Sequence, residues 1–114
     1  MTVQDRKALV AAWKQRPRRA GVYAVRCAPT GQDWVSSAPE VDRREAGLWF
    51  TLRLGSHPNR ALQAAWNAHG AAAFRWEVLE SFLVEDMSDW ELGARLKSRE
   101  RRWREALGAA RLTG

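Results

Sequence analysis

The chain has 114 residues, with seven Trp, a single Cys27, and a net charge of +6 from 19 Lys and Arg against 13 Asp and Glu. This is the length of one ordinary domain that buries a core without staples, and one Cys excludes an internal disulfide. The charge fits a polyanion, nucleic acid or an anionic membrane surface. No apolar run approaches the roughly 20 residues that span a bilayer, and the N-terminus has no signal-peptide apolar region. The expectation is one soluble, cytoplasmic domain over residues 1–114, with no membrane partner.

In chain order, residues 2 to 15 read as a helix, since Val3, Leu9, Val10 and Trp13 recur near helical spacing and Pro17 and Gly21 close it. Residues 21 to 27 and 33 to 37 read as strands joined by the turn chemistry of Ala28-Pro29-Thr30-Gly31-Gln32, which makes a hairpin. Residues 44 to 54 suggest a short helix carrying Leu48, Trp49 and Leu52 inward, with Phe50 a further candidate. Asn59 is a good N-cap for a helix over 60 to 69, and Gly70 is its natural stop. Phe74 to Phe82 alternates as a third strand. Ser88-Asp89-Trp90-Glu91 matches a capping box for a last helix running to about Ala110, with Leu92, Leu96, Trp103 and Leu107 as its stripe. The expected fold is α+β: a small three-stranded antiparallel sheet flanked by helices, because such a sheet cannot cover itself.

Charge is segregated along the chain. Basic residues cluster before Arg19 and again from Arg95 to Arg104, while residues 77 to 91 hold six carboxylates and no Lys or Arg. Such ends can bind nucleic acid at one face, pair with the acidic segment, or stay solvated. Arg16, Arg18, Arg19, Arg43, Arg60, Lys97 and Arg101 are the candidate nucleic-acid contacts. No CxxC, HExxH or Gly-rich phosphate loop is present, which gives zinc and nucleotide cofactors no support.

Gly21-Val22-Tyr23, followed by Trp34-Val35-Ser36, resembles the paired tripeptides of the GIY-YIG endonuclease superfamily, with the second tripeptide eroded. The stretch from Ser56 to Gly70 (SHPNRALQAAWNAHG), followed by the strand from Phe74 to Glu80, is similar to the matching segment of intron-homing-type members. The resemblance covers about residues 20 to 107 and treats the helix over 2 to 15 as an addition.

That resemblance implies phosphodiester hydrolysis, with two tyrosines near the attacking water and the phosphate. An Arg after the hairpin steadies the phosphate, and a Glu on the last helix holds one Mg²⁺ or Mn²⁺. Tyr23 matches the first tyrosine. Trp34 replaces the second and brings only an N–H donor. Ser36 replaces the close-approach glycine. Arg44 or Arg43 fits the arginine by distance, another register points near Gly47, and Arg53 is a third candidate. His57 fits a phosphate contact or proton donor, or a plain loop histidine.

The carboxylate position aligns with Ser98, which cannot hold a hard cation. Glu100 stands about 200° around the helix from it, and Glu91 and Glu105 lie roughly 10 Å away along the axis. A shifted register returns the role to Glu100. On this reading the chain is first a nucleic-acid-binding domain with degenerate catalysis. The alternatives are an active divalent-metal-dependent DNA endonuclease and a protein-interaction module. The implied partner is DNA before RNA, with a protein partner for targeting.

Overall fold

The computed structural model describes residues 18–112; the expected helix over 2 to 15, together with Arg16, lies outside the described residues. Four strands and three α-helices follow one another along the described chain in the order β-β-α-α-β-α-β. Strand β1 (Arg19–Cys27) and strand β2 (Gln32–Ala38) are the expected hairpin, each slightly longer than its sequence signal. Its turn is closed by the Gly31 N–H donating to the Cys27 carbonyl at 2.9 Å, with Gly31 at φ +69°.

After a 3₁₀ turn over Val41–Arg43 come helix α1 (Arg44–Arg53) and helix α2 (Arg60–His69). The Asn59 side chain accepts from the Leu62 N–H, and Gly70 ends α2 at φ +79°. Strand β3 (Phe74–Leu83) and helix α3 (Asp89–Leu107) follow, with Ser88 capping the Glu91 N–H at 3.1 Å.

The sheet has four strands in the order β3-β1-β2-β4, not the expected three. Helix α3 stops at Leu107 because Gly108 turns left-handed, which frees Ala110–Arg111 to form β4, parallel to β2 opposite Trp34 and Val35. The antiparallel core of the sheet and the α+β class are as expected.

The central strand β1 alternates between two apolar layers. Tyr23, Val25 and Cys27 pack with Trp34, Leu48, Leu52 and Leu62, and so meet α1 and α2. Ala20, Val22 and Ala24 pack with Leu92, Leu96, Trp103 and Leu107 on α3. Between Val22 and Tyr23 the β1–β3 register slips by one residue at a bulge. Beside the bulge, a Cβ at Gly21 would collide with the Glu80 carbonyl oxygen, so the glycine of the first tripeptide is a requirement of strand packing.

Candidate active site

Tyr23 lies mid-strand in β1, 1% exposed, with Ser36 of β2 and Val78 of β3 as its cross-strand neighbours. Trp76 stacks on its ring, with centroids 4.2 Å apart and planes 21° from parallel. The Ser36 and Arg44 side chains both hydrogen-bond to Tyr23, and Arg44 and Glu100 act on it through their charges. Burial raises the phenol above its usual value of 10.0; the Ser36 bond, then the Arg44 charge and bond, pull it back, and the Glu100 charge pushes it up. The outcome is a protonated Tyr23 at neutral pH, a hydrogen-bond donor rather than a base.

Arg44 is the first residue of α1. It also lines an open groove of about 310 Å³ with Arg18, Arg43 and Glu40. Of the three candidate arginines, Arg44 is therefore the one at Tyr23. Arg43 pairs with Glu40 at 3.8 Å on the rim of that groove. Arg53 lies at the far end of α1, on a different groove lined by Trp49, Trp66 and Trp76.

On helix α3 the buried positions follow the alternative register, the one that runs through Glu100. Leu92, Leu96 and Glu100, spaced four apart, are its buried positions, whereas Ser98 is exposed. Glu100 is 7% exposed and is the carboxylate whose charge reaches Tyr23. The signal was present in the sequence, since position 100 continues the Leu92–Leu96 spacing, but a search for apolar residues steps over a charge.

Trp34 is core: it is 2% exposed, packed with Leu112 and paired across β2 to Val25 and Ala110. His57 sits in the α1–α2 loop, where its Nδ1 accepts from the Asn59 backbone N–H at 3.0 Å and its own N–H donates to Gln63. Burial lowers its pKa from 6.5, and with Nδ1 occupied the neutral ring carries its proton on Nε2. It therefore offers a donor. The structure does not bring it into the Tyr23–Arg44–Glu100 group by any contact.

The remaining cations are spread over the surface. Arg19 bonds Ser81 at 2.8 Å and pairs with Asp42 at 3.6 Å. Arg60, Lys97 and Arg101 are exposed. Two of the acidic residues in the 77 to 91 segment are engaged internally. Glu77 pairs with Arg26 at 3.0 Å, while Glu80 takes Arg99 and the Trp103 N–H, each at 3.0 Å.

No group of three His, Cys, Asp or Glu able to hold a metal occurs among the described residues. The single inward carboxylate of Glu100 fits a different arrangement. Mg²⁺ and its relatives keep several waters and bind through one or two carboxylates plus substrate phosphate oxygens.

Neither a family model nor a curated protein matches the chain. Two solved structures do. One is the catalytic domain of the homing endonuclease I-TevI: it is 21% identical, has a TM-score of 0.67, and the match covers 83% of this chain and 99% of that one. A point mutant of the intron endonuclease I-TevI catalytic domain matches at 23% identity and TM-score 0.65, over 79% of this chain and 84% of that one. The chain therefore has the fold of the I-TevI catalytic domain.

Proposed function

We propose that the protein is a divalent-metal-dependent endonuclease acting on nucleic acid, DNA before RNA, with Tyr23, Arg44 and Glu100 as its working side chains. The observation that carries this is the convergence on Tyr23 of an arginine and a carboxylate from two further elements, with Tyr23 and Glu100 buried and Arg44 exposed at the groove beside them. Degenerate catalysis rested on three eroded positions, Trp34, Ser36 and Ser98; the inward position of Glu100 supports a carboxylate at the site and tips the reading toward activity, with Trp34 and Ser36 still departing from the family pattern. The likeness to an endonuclease catalytic domain supports the same reading at the level of fold.

The chemistry divides among these residues. Arg44 places a fixed positive charge where phosphate charge builds toward the transition state, at the mouth of an open groove that a phosphate can enter. The protonated Tyr23 hydroxyl, steadied by Ser36, donates to a phosphate oxygen and orients the scissile group. Trp76, stacked on the ring, holds that hydroxyl in one direction. A bound Mg²⁺ or Mn²⁺ would be held by Glu100 and would supply Lewis-acid polarisation of the phosphoryl group. His57, neutral with its proton on Nε2, is suited to donate a hydrogen bond to a phosphate oxygen if substrate binding draws the loop in.

The test is incubation of the pure protein with supercoiled plasmid in Mg²⁺, Mn²⁺ or EDTA, beside Tyr23→Phe. Nicking that needs metal and falls in the variant supports the endonuclease. Binding without cutting in either metal returns the chain to a recognition domain. Failure to bind nucleic acid at low salt overturns both and leaves an interaction module.

A further inference from the structure

Four aromatic side chains on the α1–α2 side of the sheet are not fully covered or lie beside rings that are not. Trp49 and Trp66 are half-buried, stacked with centroids 5.7 Å apart at 25°. Trp66 meets Phe74 at 5.3 Å and 45°. With Trp76 they line an open groove of about 310 Å³ that also carries Arg53 and Glu45. Trp76 stacks on Tyr23 through its other contact, so one ring belongs both to this groove and to the wall of the candidate active site.

A core that only needed filling would have closed over these rings, since large aromatic faces contribute most when fully buried. Their polar handle is already satisfied where it is seen, because the Trp49 N–H donates to Glu45 at 3.0 Å. What the groove offers a ligand is apolar ring surface, one cation and one carboxylate.

We propose that this groove is a nucleobase subsite, taking one unpaired base from the strand held at Tyr23. The inference rests on the endonuclease reading, and it adds the substrate class: a strand unpaired beside the cut, as in a single strand, loop or flap. Every base has a π-face, but in a continuous duplex its neighbours cover it, so a stacking groove selects the unpaired state. Arg53 complements the adjoining phosphate on a chain of net charge +6. The Glu45 carboxylate accepts from an exocyclic amino group, which cytosine has and thymine lacks.

The experiment measures affinity of the whole chain, in EDTA so that nothing is cut, for fluorescent short single strands of dC or dT and for a hairpin duplex, over a range of salt. The expected result is tighter binding of strand than duplex, and of dC than dT. Trp49→Leu, which keeps apolar bulk without a stacking plate, should weaken strand binding about 5- to 150-fold and leave the duplex unchanged. Trp49→Phe should recover most of the loss. Arg53→Gln, at an exposed position, should weaken strand binding and reduce the salt slope by about one contact, which keeps the test usable if the Trp49 variants fold poorly.

Equal affinity for strand and duplex, or strand binding untouched by Trp49→Leu and Arg53→Gln, overturns the subsite. Plasmid cutting is scored separately. Strand selection without metal-dependent cutting removes the endonuclease and keeps the subsite, and cutting without strand selection does the reverse.

Discussion

Replacing Glu100 by Gln removes one charge and almost no volume. In the folded chain this carboxylate is 7% exposed, and no ion pair engages it among the described residues. Its neighbours in sequence cannot take over: Ser98 is exposed, and Glu91 and Glu105 are exposed on other turns of α3. If Glu100 holds the metal, the variant loses the Lewis-acid contribution, which is several kcal/mol. At about 1.36 kcal/mol per tenfold, that is a rate loss on the order of 10³-fold. Stability should not fall with it, because the carboxylate makes no ion pair among the described residues that the amide would forfeit. The melting temperature of Glu100→Gln should be equal to or above that of the parent. Plasmid nicking over a time course in Mg²⁺ gives the first number and a circular dichroism melt the second. Ser98→Ala, run alongside, should change neither. A Glu100→Gln chain that nicks at the parent rate, or a Ser98→Ala chain that does not, refutes the assignment.

Arg44→Ala should lower cleavage about 10²- to 10³-fold, as for loss of one fixed transition-state donor, with Arg44→Lys between it and the parent in the same nicking assay. Gly21→Ala forces a methyl into the Glu80 carbonyl and should cost about 1–3 kcal/mol or more, seen as a melt lowered by roughly 4–8 °C per kcal/mol. His57 has its pKa lowered by burial, so the unfolded chain binds more protons than the folded one just below pH 6.5. Its contribution is present above pH 6.5 and is lost as pH falls toward the lowered folded value. His57→Gln should therefore lose less stability than the parent as pH falls below 6.5 in urea titrations.

The parts of the fold that were legible in the sequence are those written in local chemistry. The hairpin follows from Gly21, the Pro29–Gly31 turn and alternating apolar residues. Helix α2 matches its Asn59 and Gly70 boundaries because capping is decided within one turn. The parts that were not legible depend on tertiary partners. Two residues, Ala110 and Arg111, carry no strand signal of their own and become β4 only because Trp34 and Val35 present a free sheet edge. Glu100 was hidden for a related reason: its inward direction is set by the α3 stripe on the sheet, and stripes are recognised by apolar residues. The aromatic groove was equally out of reach, since Trp49, Trp66 and Trp76 come from three elements that only the fold brings together.

The eroded second tripeptide has a physical reading of its own. Trp34 and Ser36 alternate onto the same side of β2, and both are buried to within 2%. Trp34 withdraws into the core and brings no acceptor, so the hydroxyl that a tyrosine would have supplied there is absent. Ser36 brings a hydroxyl two residues along, directly across from Tyr23, and bonds to it. The two substitutions together move a hydroxyl rather than delete one. This makes a clean prediction, because Tyr23 is the only tyrosine of the chain and its ionisation can be followed alone by phenolate absorbance. Folded, it should titrate above 10, since burial dominates. Ser36→Ala removes a bond that favours the phenolate, so the titration should move further up and nicking should fall with it. An unmoved Tyr23 titration in Ser36→Ala would mean that the serine merely fills space, and the hydroxyl lost at position 34 would have no replacement.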